Sequence, residues 1–220
     1  MMQCMIRRNC FFTSTRLLIL TCICAFGLSS CTQDTPSDSS KGGGSLSSTQ
    51  PAKDQPITLK LPPITETFKA PKGLPEGLML YVAPVEDARS DKDKIGFSGN
   101  GAYVTDESPS DYVGKNIVTA LKSAGLNVTE KPADATRIIQ LSLTRYWCDS
   151  SMHFHGEIRV TAEVTDASGA TLWRGELMGT SSTGGLPWNT KNAEKVMSNS
   201  MVQVIDKLME GSSSVLRSMK

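Results

Sequence analysis

Cys148-Asp149-Ser150-Ser151-Met152-His153-Phe154-His155 gathers a thiol and both histidines of the chain into one short run. Thiolate and imidazole are zinc ligands, and a hairpin would set Cys148 opposite His153 or His155. A structural zinc site takes a fourth ligand, however, and none remains once the N-terminal cysteines are set aside. The same residues could pair a nucleophilic thiolate with a base, but the simplest reading is a polar hairpin rim with no metal. Gly96-Phe97-Ser98-Gly99-Asn100-Gly101 stands between a predicted strand and a predicted helix, where a phosphate loop would stand. It lacks the Gly-Lys-Ser/Thr ending, and its glycines come too early for their amides to converge at the helix N-terminus. A mobile loop exposing Phe97 and Tyr103 is expected instead. Trp188 sits in a second Gly-rich loop, as a lid on the core or as an exposed anchor. Asp87 and Arg89, two residues apart, read first as a local ion pair and second as a docking contact. Phe97, Tyr103, Trp188, Asp87 and Arg89 are therefore the candidate partner-binding residues, and no catalytic residue or cofactor is implied.

Cys31 is of another kind. It follows Leu28-Ser29-Ser30, at the end of a segment that begins with Arg7, Arg8 and Arg16 and continues through the apolar stretch Leu17 to Phe26. Positive residues stay on the cytoplasmic side while the apolar run enters the translocon, and small residues fit the peptidase cleft. About twelve apolar residues fall short of the roughly 20 that span a bilayer. The stretch resembles the lipobox of bacterial lipoproteins, in which the cysteine thiol receives a diacylglyceryl group and becomes the first mature residue. The alternatives are an ordinary secretory signal, a chance apolar segment, and twin-arginine export through Arg7-Arg8. With Thr32, not Asp, after the cysteine, sorting by analogy favours the outer membrane, held by acyl chains on Cys31.

Loss of residues 1–30 removes three arginines and no acid, so Lys+Arg falls from 23 to 20 against 22 Asp+Glu. A slightly acidic mature chain has no basic field for nucleic acid and no polybasic patch for anionic lipid. Cys148 becomes its one free thiol, and a lone periplasmic cysteine is expected to be buried and inert.

These residues need elements to hold them. Residues 31–55, rich in Ser, Gly and Pro, read as a disordered tether spanning roughly 25–30 Å. A single periplasmic domain is expected over 56–210, and a loose tail over 211–220. Ile57 to Leu61 alternates as an edge strand, and Leu78 to Val85 reads as a strand buried on both faces. A long polar segment, Glu86 to Glu107, follows it. Ser108-Pro109 opens a helix that Gly125 ends. Strands are then expected at Leu126–Thr129, Arg137–Trp147, Glu157–Asp166 and Thr171–Gly179, the last two as a hairpin about Asp166-Ala167-Ser168-Gly169. A second amphipathic helix runs from Asn192 to about Met209. The order β-β-α-β-β-β-β-α predicts an α+β fold, a mixed and largely antiparallel sheet with two helices on one face.

The lipobox, Thr58-Leu59-Lys60-Leu61-Pro62, Val85-Glu86-Asp87-Ala88-Arg89, the Ala133-Asp134 turn and the closing hairpin and helix resemble the YajG-type family of Gram-negative lipoproteins, over about residues 56–210. The resemblance implies location and fold and brings no catalytic residue or ligand. The chain departs from it in the Gly-rich tether, the longer Ser90 to Pro109 segment and the Cys148 to His155 region. Together these readings point to a non-catalytic interaction module of the cell envelope that docks on an envelope protein, complex or cell-wall component. An auxiliary lipoprotein of a transport or lipid-trafficking system is the alternative, and would need an apolar groove between helix and sheet. A small periplasmic hydrolase is the weakest reading, for want of a Ser-His-Asp or paired-carboxylate set.

Overall fold

The computed structural model describes residues 55–185 and 189–217; the signal segment, all of the tether but Gln55, and Trp188 lie outside the described residues. Strands β1 (Ile57–Leu59), β2 (Leu80–Val82), β3 (Glu86–Asp87), β4 (Gly96–Ser98) and β5 (Gly101–Thr105) precede helix α1 (Pro109–Ser123). Then come β6 (Val128–Thr129), β7 (Arg137–Ser150), β8 (Phe154–Asp166), β9 (Thr171–Thr183) and helix α2 (Thr190–Arg217). The result is the expected α+β fold: one mixed sheet with two helices joined to it in a single core.

Strand β7 organises the sheet. Along one edge it pairs antiparallel with β8 from Arg137 to Asp149, and β8 pairs antiparallel with β9. Along its other edge three short strands follow one another in parallel: β2 beside Arg137–Ile139, β3 beside Ser142–Leu143 and β4 beside Cys148–Ser150. β5 then turns back on β4, β1 adds to β5, and β6 adds to β2. The expected long polar connection from Glu86 to Glu107 thus holds three strands. Their order comes from pairing partners and not from an alternating apolar pattern of their own: β7 orders β3 and β4, and β5 lies between β4 and β1. Gly96 shows the constraint: at φ 148° a Cβ there would lie 1.7 Å from the Cys148 carbonyl oxygen, so only glycine permits this pairing.

A bulge divides β7. The register with β8 shifts between Leu143 and Arg145, so Ile139, Leu141 and Leu143 face the core before it, and Tyr146, Cys148 and Ser150 after it. The extra residue reverses the side to which every later side chain points.

Helix α1 begins at Ser108 with Pro109 in its first turn and buries Tyr112, Val113, Ile117, Ala120 and Leu121. Its end is a Schellman arrangement: Leu126 N–H donates to Leu121 O and Gly125 N–H to Lys122 O, with Gly125 at φ 85°. Helix α2 lies against the β8–β9 hairpin. Its backbone comes so near that a Cβ on Gly179 would stand 1.8 Å from Ser200 O, while Ser200 Oγ donates to Gly156 O at 3.0 Å. Of the expected loose tail over 211–220, residues 211–217 are instead the last part of α2, and 218–220 lie outside the described residues. There Ser212 and Leu216 are buried, Ser212 Oγ donates to Leu208 O, and Gly211 packs against the Trp173 ring. Packing overrides the low helix propensity of Gly211-Ser212-Ser213-Ser214.

The outer strand β9 is capped by α2. Gln203 Nε2 donates to Thr180 O at 2.7 Å and Gln203 Oε1 accepts Thr180 N–H at 3.3 Å, while Lys207 Nζ donates to Met178 O.

Candidate docking surface

The helices cover one face of the sheet, and the other carries the exposed side chains of β4, β7, β8 and β9. At the β4–β7 end of that face Phe97, 46% exposed, meets Trp147 edge-on, with ring centroids 5.6 Å apart at 73°. A cation lies over each ring: Lys94 Nζ is 4.6 Å from the Phe97 centroid and the Arg145 guanidinium 5.2 Å from that of Trp147. Arg145 and Arg159 both bind Glu157; burial is the largest single effect on its carboxyl and pushes it up, but the hydrogen bonds and charges of Arg159 and Arg145 together hold it below the ordinary carboxylate value. Glu157 thereby orients both arginines, Asp91 Oδ2 holds Lys94 Nζ at 3.1 Å, and the patch is aromatic at its centre and charged at its rim.

Sequence reasoning found Phe97 and missed Trp147. Continued past Leu143, the alternation Ile139, Leu141, Leu143 sends Trp147 inward; the bulge sends it outward. The one signal available was the adjacent pair Thr144-Arg145 between two apolar runs.

Tyr103 is corrected. It is fully buried, opposite Gly96 in the β4–β5 ladder, and its hydroxyl lies 2.8 Å from Ser150 Oγ. The segment holding Phe97 and Tyr103 is a paired hairpin, not a loop, and its pleat sends the two rings to opposite faces.

Asp87 and Arg89 form a bidentate ion pair, with Arg89 Nε 2.9 Å from Asp87 Oδ1 and Nη2 2.8 Å from Oδ2. Arg89 is 6% exposed, so it serves the fold and not a partner directly. The Arg89 hydrogen bonds hold the Asp87 carboxyl below its ordinary 3.8, with burial opposing. Arg89 Nη1 also donates to Lys94 O at 3.4 Å. This ties the loop that delivers Lys94 to Phe97, and joins three of the candidate residues in one unit.

Cys148 and the histidines do not converge. Cys148 is buried on the core face, and burial pushes its thiol up to about 12. His155, on the following strand, is exposed on the other side, with Nδ1 2.8 Å from Ser182 Oγ, and His153 is exposed in the β7–β8 turn. Among the described residues no three His, Cys, Asp or Glu side chains gather as a metal site.

An open groove of about 310 Å³ runs between α1 and the strands β2 and β6. Val82, Val85, Val118 and Val128 line it, with Lys115 and Lys122 on its helix side. No helix among the described residues is long and apolar enough to cross a membrane.

No family model and no curated protein matches the chain. Solved structures do. Protein XCC0632 from Xanthomonas campestris, assigned to family model DUF330, is 12% identical and superposes with a TM-score of 0.54, covering 74% of this chain and 96% of that one. The solution structure of uncharacterized lipoprotein B from Nitrosomonas europaea is 14% identical, covering 69% and 93%, with a TM-score of 0.40. Lipoprotein GNA1162 from Neisseria meningitidis is 12% identical, covering 60% and 99%, with a TM-score of 0.36. The likeness to protein XCC0632 shows a common fold, at 12% identity.

Proposed function

We propose that this chain is a non-catalytic docking module of the Gram-negative envelope, held at the outer membrane by acyl chains on Cys31. Its domain would bind an envelope protein or cell-wall component through the Phe97–Trp147 patch. Kinship with YajG-type lipoproteins belongs to this proposal and rests on the sequence motifs. The observation that carries the docking role is an aromatic pair, Phe97 exposed and Trp147 half-buried, placed by a bulge and flanked by two cations, on the sheet face that no helix covers. Large aromatics supply most of the binding energy at interfaces, and flanking charges set register and encounter.

Crosslinking in intact cells tests this. Phe97→Ala and Trp147→Ala should each weaken partner capture by about 2 kcal/mol, roughly thirtyfold, with the thermal midpoint nearly unchanged. Unaltered crosslinks per folded molecule would refute the patch.

One observation favours the second reading, an auxiliary lipoprotein of transport or lipid trafficking: the apolar groove between α1 and the β2–β6 edge. A photoactivatable fatty acid should then label residues of that groove, and Val118→Asp should abolish the labelling. Labelling elsewhere, or none, would leave the docking role alone.

A further inference from the structure

A separate cleft of about 200 Å³ opens where β1 and the end of β5 meet α1 and β7. Tyr146 and Tyr112 both line it, their rings 6.4 Å apart at 78°. Tyr112 Oη donates to Pro62 O at 3.1 Å. Tyr146 Oη is buried and has no hydrogen-bond partner among the described residues. Native folds rarely leave a buried hydroxyl in that condition, because its lost hydration is then uncompensated. Burial also raises this hydroxyl well above its ordinary 10.0, so it stays neutral, with a proton to donate and lone pairs to accept.

The rest of the lining says what could complete it. Asp106 and Glu107 bring two carboxylates to the mouth, against one cation, Lys60. Glu107 is engaged by Lys115, and Asp106 is exposed without an ion pair among those described. Leu59 and Leu61 make an apolar side wall. An anion would be repelled by the unpaired Asp106 carboxylate, and a bare metal ion would lack a ligand set. A positive charge on an apolar stem matches every part, since tyrosine faces attract cations as well.

We propose that this cleft binds an organic ammonium group. The stem would lie along Leu59 and Leu61, the charged nitrogen would sit between the Asp106 carboxylate and the tyrosine rings, and one N–H would donate to Tyr146 Oη. This site is separate from the docking patch and does not depend on it.

Titration calorimetry on the full chain in detergent tests the proposal, with 1,4-diaminobutane and ethanolamine as probes and 1-butanol as the neutral control. The ammonium probes should bind saturably and butanol should not, and the Tyr146 ring signals of the ¹³C-labelled protein should move on addition of diaminobutane. Tyr146→Phe and Asp106→Asn should each lower the affinity at least tenfold. Asp106 is exposed, so its variant remains informative if Tyr146→Phe fails to fold. Binding of butanol equal to that of the amines, affinity unchanged in Asp106→Asn, or no binding at all would overturn the proposal. In the last case a water alone satisfies Tyr146.

Discussion

Replacing Asp87 with Ala should destabilise the domain far more than an exposed ion pair would. The Arg89 side chain is only 4% accessible and Asp87 20%, and the guanidinium directs two bonds at the carboxylate. Without Asp87, a buried cation keeps one long bond, to Lys94 O at 3.4 Å. Breaking a buried pair from one side costs about 3–5 kcal/mol, and the solvent access of Asp87 places this case near 3. For a domain of this size that is a fall in midpoint of roughly 6–12 °C. The double variant Asp87→Ala/Arg89→Met removes the stranded charge and should recover most of the loss. Circular dichroism melts of the chain from Thr32 onward would measure all three. A loss under about 1 kcal/mol in the single variant, or a double variant no more stable than Asp87→Ala, would refute the reasoning. The pH dependence has a definite sign. The Asp87 carboxyl is depressed in the folded state, so its contribution is complete above the ordinary 3.8 and is lost as pH falls through and below it. The gap between wild type and Asp87→Ala should therefore close in acid.

Val204 on α2 is fully buried, and Val204→Asp, by burying an unpaired carboxylate at a cost of several kcal/mol, should remove the chain from the soluble fraction. An unchanged melt would place that face of the helix in solvent. Native Cys148 should resist iodoacetamide at pH 8 and react once urea unfolds the chain, since burial raises its thiol to about 12. The raised value favours the neutral thiol in the fold, a contribution present below the free-thiol range and lost as pH climbs towards 12; alkylation of the native chain at the free-thiol rate would contradict it. Cys31→Ser should leave an unprocessed precursor that takes up no fatty-acid probe, and membrane fractionation with continued labelling would reject Cys31 as the lipid acceptor.

Both helices are legible because their apolar stripes are local, repeating every three or four residues from Tyr112 to Leu121 and from Ala193 to Leu208. The β8–β9 hairpin is legible for the same reason, with Ile158, Val160, Ala162 and Val164 alternating up to a turn. What stays hidden is set by distant partners. β3 is two acidic residues and β4 a lone Phe97 between Gly96 and Ser98, and both become strands only because β7 offers its edge. Gly211 and three serines read as a tail until Trp173 and Leu216 give that turn something to bury. The docking patch was half visible: Phe97 stands out among glycines, whereas Trp147 is misdirected by counting in twos across a bulge. Tyr103 fails in the opposite way, an aromatic among small residues whose neighbours across the ladder enclose it.

The Gln203 side chain has a further consequence for how this molecule behaves in a crowd. A carboxamide is a peptide group without a chain attached: it accepts from Thr180 N–H and donates to Thr180 O as a neighbouring strand would, yet offers no second edge beyond itself. Another strand pairing at that position would present a fresh row of donors and acceptors, to which a further copy could add in turn. Helix α2 therefore acts there as a chain terminator in the polymer chemist's sense, closing the site at which sheet growth would propagate. At high local density the β9 edge should resist runaway association while the opposite face of the sheet stays open to a chosen partner.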